Sequence, residues 1–298
     1  MKNFLPIVLT CDDKYFKYAS VVISSLLINS NKNTEYEINI ISEHINNENK
    51  AKAREQIKNV PNFSIRFIEL KNFDANKFYL NSYMSVSTYY RFYIPSIFKD
   101  YERILYLDCD LVVDADISNL ATMDFENKLA ICCSSPYIKK KIENNDDENI
   151  PKKYFVEQLK MPQPLEYFNA GVMLYNLKKM NELHIQDKLF SALDEIEKPI
   201  FQDQDILNSV LSRNGGVRLI SNKYNMTRTF KITQNRIFLN ALKRYFGMLS
   251  KKEQWFYIYH FVGKEKPWKK QGIDYPIFQY YAKKSPFYEE IRKENNLK

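Results

Sequence analysis

The first seventy residues alternate between short apolar runs and longer stretches with helical spacing. Phe4–Thr10 is a nearly continuous apolar run, typical of a parallel strand that is covered on both faces. Between Tyr15 and Leu26 apolar residues recur three and four positions apart, which predicts one stripe of an amphipathic helix. The same succession of strand, helix and strand continues at Tyr36–Ser42, Asn46–Lys58 and Phe63–Leu70. This pattern predicts a βαβαβ unit, whose ligand-binding loops lie beyond the carboxyl ends of the strands.

The middle of the chain continues the alternation and places acids inside one strand. Arg103–Val113 is an apolar run broken by Asp108 and Asp110, and it predicts a single buried strand. A polar stretch with the Lys139–Lys141 run and a following acidic cluster predicts a mobile loop. Further strands are expected at Leu129–Cys133 and Glu166–Leu177, and helices at Leu183–Glu195 and Asp203–Leu211.

After a turn at Asn214–Gly216 the pattern becomes irregular, and we place a domain boundary there. The 298 residues suffice for one large domain or two ordinary ones. We therefore predict an α/β sheet domain over residues 1–215 and a smaller C-terminal subdomain over residues 216–298.

The excess positive charge lies in the C-terminal segment. Residues 241–298 carry 13 basic and 6 acidic residues together with 14 aromatic residues, against a net charge of +8 for the whole chain. A mixture of lysine and aromatic residues suits an anionic lipid surface or a phosphate-rich ligand. An ordinary solvated surface on a docked subdomain is the alternative. Nucleic acid is not an expected partner, because the sequence contains no helix-turn-helix, zinc-finger or RNP pattern.

Other classes of protein are disfavoured by what the sequence lacks. No run approaches the about 18–20 apolar residues of a membrane-spanning helix, and the short apolar N-terminus has no cleavage site of a secretory signal. We therefore expect a cytoplasmic protein, with peripheral binding at the inner face of the membrane as a further possibility. No G-x-G-x-x-G fingerprint supports nicotinamide binding. Four cysteines without C-x-x-C spacing are expected to be small buried residues: Cys11, Cys109, Cys132 and Cys133.

The acids that interrupt the predicted strand are the strongest chemical signal. Residues i and i+2 of an extended chain project to one side, so Asp108 and Asp110 can share a divalent cation. Two unpaired buried carboxylates would be costly. His260, followed by a glycine and by Lys264 and Lys266, is a candidate nitrogen ligand or a hydrogen-bonded core histidine. A mixed oxygen and nitrogen donor set favours Mn²⁺ over Mg²⁺.

Six motifs occur in one order: Asp12-Asp13 after the first strand, then STYYRFYIP, LYLDCD, YFNAGVMLYNL, FQDQDILN and HFVGKEKPW. With this set the chain, from residue 4 to about residue 270, resembles the retaining glycosyltransferases of family 8. That family includes glycogenin and bacterial lipopolysaccharide galactosyl- and glucosyltransferases. The resemblance implies a GT-A fold, with a Rossmann-like, mixed and mainly parallel sheet flanked by helices. Residues 1–215 would bind the nucleotide-sugar, and residues 216–298 would complete the metal and diphosphate site.

The resemblance also implies roles for individual residues. Asp108, Asp110 and His260 would hold Mn²⁺, with Mg²⁺ as a substitute, against the diphosphate of a UDP-sugar. Further contacts would come from Asp12 and Tyr15 to uracil, Arg91 and Asn169 to the donor sugar, Gly263 and Lys266 to the diphosphate, and Asp203 and Gln204 to the reacting anomeric carbon. Two positions depart from the family pattern. Lys14 replaces a frequent asparagine, and Ser135 replaces a sugar-binding aspartate of the galactosyltransferases.

The expected activity is transfer of glucose or galactose from a UDP-sugar to an acceptor hydroxyl. The acceptor would be a bacterial surface glycan or glycolipid, or alternatively a protein. A metal-dependent phosphatase is the competing enzyme class, because a strand that ends in D-x-D also supplies an aspartyl nucleophile and a metal ligand. A non-catalytic sugar-nucleotide-binding module is a third hypothesis. For Asp203 and Asp205, the alternative to a catalytic role is capping of the following helix.

Overall fold

The computed structural model describes residues 2–71, 73–80, 85–227, 239, 256–269 and 275–295. The chain divides into two compact units, each built from segments that are distant in sequence. The first unit contains Met1–Leu70, Leu107–Thr122 and Asn222–Lys298, and the second contains Lys71–Tyr106 and Met123–Ser221. The proposed functional division at residue 215 stays a prediction.

Seven of the described strands form one mixed, mainly parallel sheet in the order β3-β2-β1-β4-β7-β6-β8. The strands are β1 (Asn3–Thr10), β2 (Thr34–Ser42), β3 (Phe63–Glu69), β4 (Arg103–Leu107), β5 (Leu111–Val113), β6 (Ala130–Ser134), β7 (Phe168–Asn176), β8 (Val217–Ile220) and β9 (Ile258–His260). The pairs β1–β2, β2–β3 and β6–β8 are parallel, whereas β6–β7 is antiparallel. β5 and β9 form a separate antiparallel pair. The predicted α/β class is confirmed.

Helices flank the strands in both units. They are α1 (Phe16–Asn29), α2 (Asn47–Ile57), α3 (Ile94–Ile97), α4 (Pro136–Asn144), α5 (Leu177–Glu182), α6 (Ile185–Glu195), α7 (Asp203–Arg213), α8 (Tyr275–Ala282) and α9 (Tyr288–Glu294). A long 3₁₀ segment covers Val86–Tyr93 and precedes α3.

Helix α1 is buried more completely than an amphipathic stripe predicts. Every residue from Phe16 to Leu26 is buried. Its serines allow this because they find partners inside the protein. Ser20 Oγ lies 2.8 Å from Gln56 Oε1, and Ser25 Oγ accepts the Val113 N–H at 2.9 Å. The predicted helix is present, but its burial extends beyond the single apolar stripe that the sequence predicted.

Two other local predictions are corrected. The single strand Arg103–Val113 is instead two strands, because β4 ends at Leu107 and β5 begins at Leu111 to pair with β9. The polar stretch around Lys139–Lys141 is not a loop but lies in α4. Pro136 occupies the first turn of that helix, and Ile138 and Ile142, four positions apart, are its buried side.

The C-terminal residues, predicted to be irregular, include two helices that belong to the core of the first unit. Ile277, Phe278 and Tyr281 of α8 and Ile291 of α9 are at most 1% exposed. Residues 241–255, 270–274 and 296–298 of the basic, aromatic segment lie outside the described residues. Within the described part of the chain, no helix is long and apolar enough to span a bilayer.

Candidate active site

The predicted metal ligands converge in the first unit. His260 Nε2 lies 3.0 Å from Asp110 Oδ1 and 3.4 Å from Asp108 Oδ2. One ligand atom from each of the three residues lies within 4.8 Å of the others. His260 is 4% exposed, and the two aspartates are partly buried. We call Asp108, Asp110 and His260 the carboxylate–histidine cluster.

Strand pairing brings the two ends of this cluster together. The aspartates occupy the short connection between β4 and β5, and His260 is the last residue of β9. In the β5–β9 register Leu111 faces His260, and the Phe261 N–H donates to the Asp110 carbonyl at 2.9 Å. A three-residue strand pair thus fixes groups that are 150 positions apart in sequence.

Charge compensation makes this burial tolerable. The Lys266 ammonium contacts Asp110 and donates to the Phe261 carbonyl at 2.7 Å. Burial alone raises the pKa of Asp110, but Lys266 and His260 hold it well below its usual range. Burial lowers the pKa of His260, but Asp110 and Asp108 overcome this effect and raise it to about 9. The carboxylate–histidine cluster and Lys266 together form a network that pairs two carboxylates with two basic groups.

The donor set fits a divalent cation. Two carboxylates and one imidazole nitrogen supply the mixed oxygen and nitrogen ligands that suit Mn²⁺. The other ring nitrogen, His260 Nδ1, lies 2.9 Å from Asn225 Oδ1. An Nδ1–H that donates to Asn225 leaves the Nε2 lone pair for a metal. Asn225, which is 1% exposed, is not predicted from the sequence because no motif marks it.

Asp12 and Tyr15, predicted to bind the base, lie at the start of α1 in the same unit. The Tyr15 N–H donates to Asp12 Oδ1 at 2.7 Å. The Tyr15 ring lies 4.8 Å from that of Tyr18 and 6.0 Å from that of Trp268, both centroid to centroid. Burial and the charge of Asp110 raise the pKa of Tyr15, so its hydroxyl stays protonated. Lys14 is exposed.

Gly263 and Lys266 lie in the loop after β9. Gly263 has φ +86°, and a Cβ at this position would meet nothing within 4 Å. Glycine is therefore required by the left-handed backbone rather than by crowding. This turn precedes Lys266, whose ammonium lies at the carboxylate–histidine cluster.

The remaining predicted residues lie in the second unit, where Arg91 and Asp203 form a buried ion pair. Arg91 Nε lies 2.9 Å from Asp203 Oδ2, and their side chains are 4% and 2% exposed. The guanidinium also donates to the Ala170 carbonyl at 2.7 Å and lies over the Tyr106 ring at 4.1 Å. Removal of either partner would leave an uncompensated buried charge, which costs about 3–5 kcal/mol.

Asn169 and Gln204 meet at an irregularity between β6 and β7. Cys132 pairs with Met173 but Cys133 pairs with Asn169, so residues 170–172 drop out of the β6–β7 ladder. Gln204 Oε1 accepts the Ala170 N–H at 3.0 Å and an Asn169 Nδ2 hydrogen at 3.2 Å. We call residues 170–172 the β7 bulge. Its N–H groups are satisfied in part by side chains of the predicted site.

Asp205 is the buried acid of this region. Both of its oxygens accept hydrogen bonds, one from Tyr167 and the other from Tyr154 and the Phe201 N–H. The Phe201 N–H lies before the N-cap residue, so this bond does not make Asp205 the cap of α7, and the capping hypothesis stays a prediction. Gln202 occupies the N-cap position of α7 without a side-chain capping bond. Neither tyrosine is predicted from the sequence as a functional residue, although Tyr167 lies inside the motif YFNAGVMLYNL.

Comparison with known proteins decides the family. The sequence model described as glycosyl transferase family 8 matches residues 6–272. The chain belongs to this family. As a family 8 member it is 29% identical over 227 residues to a putative glycosyltransferase of Haemophilus influenzae, with 75% of this chain and 63% of the relative covered. It is also 29% identical over 184 residues to the lipopolysaccharide 1,2-glucosyltransferase of Escherichia coli K12, with 60% and 48% covered.

The chain thus spans about half to two thirds of the length of these two curated relatives. Among solved structures, it resembles the galactosyltransferase LgtC in complex with donor and acceptor sugar analogs. The TM-score is 0.75 at 22% identity, with 98% of this chain and 100% of that chain covered. This likeness confirms the GT-A fold.

Proposed function

We propose that this protein is a metal-dependent, retaining glycosyltransferase that transfers glucose or galactose from a UDP-sugar to an acceptor hydroxyl. The observation that carries the proposal is the meeting of Asp108, Asp110 and His260, with Lys266 beside them, in a member of family 8. For a phosphatase of the D-x-D class, neither His260 nor the Asn169–Gly171 segment has a role, so family membership and site favour the glycosyltransferase.

Mn²⁺ is the metal that we assign to the carboxylate–histidine cluster, with Mg²⁺ as a substitute. Asp108 and Asp110 would hold it through oxygen, and His260 through Nε2. When bound, the dication neutralises negative charge on the diphosphate of the donor. The buried histidine is preset for this task because Asn225 accepts from its other nitrogen.

Lys266 is proposed to bind the β-phosphate of the donor. Negative charge grows on that phosphate as the bond to the sugar breaks, so a fixed ammonium stabilises the transition state more than the ground state. Gly263 would let the loop backbone approach the diphosphate. At the other end of the nucleotide, Asp12 and Tyr15 are proposed to bind the uracil.

The sugar is proposed to bind in the second unit, at Arg91, Asn169, Asp203 and Gln204. Asp203 and the Gln204 amide would stabilise the positive charge that develops at the anomeric carbon. Arg91 balances Asp203 in the resting protein, since the two form an ion pair at 2.9 Å. Ser135 stands where the galactosyltransferases carry a sugar-binding aspartate, and this counts against galactose as the donor sugar.

Retention of the anomeric configuration is proposed to occur by front-face attack. The acceptor oxygen approaches the anomeric carbon from the same face from which UDP departs. The two acids that are buried among the described residues of the second unit are both engaged, Asp203 with Arg91, and Asp205 with two tyrosine hydroxyls and with backbone N–H groups before α7. Neither is poised as a nucleophile. The acceptor oxygen would therefore form its bond to the anomeric carbon as the UDP oxygen leaves, and the departing phosphate would take the acceptor's proton.

The acceptor is proposed to be a bacterial surface glycan or glycolipid, the class to which the Escherichia coli relative's name refers. Peripheral binding of an anionic membrane surface through residues 241–298 is part of the same proposal. Sedimentation with anionic vesicles tests it. Substitution of exposed Lys283 and Lys284 by Gln should reduce the bound fraction, and equal sedimentation of both proteins would contradict membrane binding.

The main test is a donor panel. Protein and Mn²⁺ are incubated with UDP-glucose, UDP-galactose and their N-acetyl forms, with and without simple sugar acceptors, and UDP release is followed. Release from one hexose donor is expected, with retention of the anomeric configuration in the product. Hydrolysis of a generic phosphoester without UDP release would favour the phosphatase. A rise in melting temperature with UDP but no turnover would indicate a binding module, and glycosylated protein in a lysate would redirect the acceptor assignment.

A further inference from the structure

Asp205 stands at one end of a hydrogen-bond chain within the second unit. The side chain is fully buried, with 0% exposure. Oδ1 accepts from the Tyr167 hydroxyl at 2.5 Å, and Oδ2 accepts from the Tyr154 hydroxyl at 2.6 Å and the Phe201 N–H at 2.7 Å. The carboxylate thus holds two tyrosines, one on each oxygen.

Only the Tyr167 branch continues to the predicted site. The Tyr167 oxygen accepts an Nε2 hydrogen of Gln204 at 3.1 Å. Gln204 Oε1 in turn accepts from the Ala170 N–H at 3.0 Å and from Asn169 Nδ2 at 3.2 Å. The Tyr154 branch ends instead at the backbone, where its oxygen accepts the Ile200 N–H at 3.1 Å.

The two ends of the Tyr167 branch fix its direction. A backbone N–H only donates, so Ala170 requires an oxygen from Gln204. An ionised carboxylate only accepts, so Asp205 requires the proton of Tyr167. Burial and the nearby Asp205 raise the pKa of Tyr167 well above its usual value, and this keeps the phenol protonated. The Gln204 amide therefore has one favourable orientation, since the reversed amide would set an NH₂ group against the Ala170 N–H.

This orientation supports the β7 bulge. Residues 170–172 have left the β6–β7 ladder, and the Gln204 oxygen stands in for a ladder partner at Ala170. The same oxygen binds Asn169, whose own Oδ1 accepts the Gly171 N–H at 3.0 Å. Gln204 is thus held on its nitrogen side by Tyr167 and on its oxygen side by β7.

We propose that Asp205 is a positioning residue which, through Tyr167, fixes the orientation of the Gln204 amide and thereby the shape of the Asn169–Gly171 segment. The proposal rests on the proposed function, in which Asn169 and Gln204 serve the donor sugar. Asp205 itself does not touch the substrate. Its role is to keep a neutral amide pointing one way in a site where a reversed amide would present the wrong dipole to the developing positive charge.

Tyr167→Phe and Tyr154→Phe form a matched pair for the test. Each removes one hydroxyl, one bond to Asp205 and one further hydrogen bond, and both parent side chains are at most 4% exposed. Of the two variants, only Tyr167→Phe removes the hydrogen bond that Gln204 Nε2 donates to the tyrosine oxygen. Melting temperatures measure the shared structural cost, while hydrogen–deuterium exchange of peptides that contain Ala170 and Gly171 reports on the bulge without any need for activity.

Tyr167→Phe is expected to speed exchange in these peptides about tenfold, because loss of the Tyr167 bond loosens the acceptor of the Ala170 N–H. It should lower kcat with the donor by about 100-fold, the size of effect that a misplacement of about 1 Å causes, while KM changes less than about threefold. Tyr154→Phe is expected to lower the melting temperature similarly but to leave both exchange of the bulge and kcat near wild type.

Equal exchange in Tyr167→Phe and wild type, or equal acceleration by Tyr154→Phe, would overturn the proposal. The proposal would also be overturned if kcat fell in proportion to the loss of melting temperature to the same degree in Tyr167→Phe and Tyr154→Phe. A wild-type protein without turnover on any UDP-sugar would contradict the proposed function instead, and the exchange comparison would then still decide whether the link through Tyr167 positions Gln204.

Discussion

Among single residues of the site, Asp110 is the acid that contacts both Lys266 and His260. Its carboxylate contacts the Lys266 ammonium and lies 3.0 Å from His260 Nε2. Asp110→Asn keeps the shape but removes the negative charge from between two cations. We expect turnover of the UDP-sugar to be lost, because both metal affinity and the placement of Lys266 depend on that charge.

The measurement is UDP release from the preferred donor, together with far-ultraviolet circular dichroism to verify the fold. Asp116→Asn is the matched control, since Asp116 lies in the same unit but is exposed, and it accepts hydrogen bonds from Asn31 Nδ2 and the Ser118 N–H. Full activity of Asp110→Asn would remove the carboxylate–histidine cluster from the mechanism.

Asn225 gives a second prediction at this scale. It orients His260 without reaching the metal position itself, because its Oδ1 is 2.9 Å from His260 Nδ1. Asn225→Ala should weaken Mn²⁺ binding about 10–100-fold, the usual effect of losing the partner of a metal-ligating histidine. Asn225→Asp keeps an acceptor oxygen and should retain most of the affinity.

Isothermal titration with Mn²⁺ in the presence of UDP checks this order. Equal affinities in wild type and Asn225→Ala would mean that β9 alone fixes the ring.

The sequence predicts Asp108, Asp110 and His260 because motifs mark them. Asn225 and the orientation role of Tyr167 escape prediction, because a supporting hydrogen bond depends on a contact across the fold and leaves no spacing along the chain.

At the scale of elements, the C-terminal helices α8 and α9 act as core rather than as an appendage. The Tyr281 hydroxyl donates to Asp114 and accepts from Asn29 Nδ2 at 2.8 Å. On the other side, Lys17 of α1, whose side chain is only 8% exposed, contacts Glu290 and Glu294. These bonds join the last helices to α1, which begins beside the proposed base-binding residues.

Truncation after Lys269 is therefore expected to unfold the first unit. It exposes four buried side chains, Ile277, Phe278, Tyr281 and Ile291, each worth about 1.5–3 kcal/mol of burial. The sum, on the order of 6–12 kcal/mol, equals the whole stability of a typical domain. Circular dichroism melting checks this. A truncated protein that melts cooperatively near the wild-type temperature would show that α8 and α9 are dispensable, and only then would truncation be a fair membrane-binding experiment.

Element prediction succeeded where a short apolar run marked a strand, as in β1 and β2, and where a charged stretch marked a solvent-facing helix, as in α2. It failed where a second contact decided the outcome. Asp108 and Asp110 divide one apolar run into β4 and β5 because β5 has its own partner in β9, a segment about 150 residues away. Helix α4 was mistaken for a loop because its lysines outnumber the two isoleucines, Ile138 and Ile142, that hold it.

At the scale of the whole molecule, the proposed diphosphate site and the proposed sugar site belong to different compact units. Asp108, Asp110, His260 and Lys266 belong to the first unit, which Asn222–Lys298 completes from the far end of the chain. The last 58 positions carry an excess of basic residues, and Lys266 is one of them. The proposal assigns the diphosphate of the donor to Lys266. In the proposal, one basic residue of the C-terminal segment thus serves the diphosphate, before any membrane is invoked.

The proposed binding of metal and nucleotide to the first unit predicts that these ligands stabilise the folded protein. Mn²⁺ with UDP should stabilise the protein, because both bind the folded first unit and not the unfolded chain. At 100 times the dissociation constant the gain is about 2.7 kcal/mol, which corresponds to a rise of roughly 5–10 °C in melting temperature. Mn²⁺ alone or UDP alone should give a smaller shift, since neither satisfies the whole ion-paired network.

Hydrogen–deuterium exchange locates the effect. Added protection is expected in peptides around residues 12–18, 108–113 and 258–268, all of which belong to the first unit. Asp110→Asn should lose both the thermal shift and this protection, whereas Tyr167→Phe, altered only in the second unit, should keep them. Protection confined to the second unit would place the nucleotide away from Lys266 and the carboxylate–histidine cluster. In that case the assignment of the diphosphate, and the order in which charge is neutralised as UDP departs, would have to be abandoned.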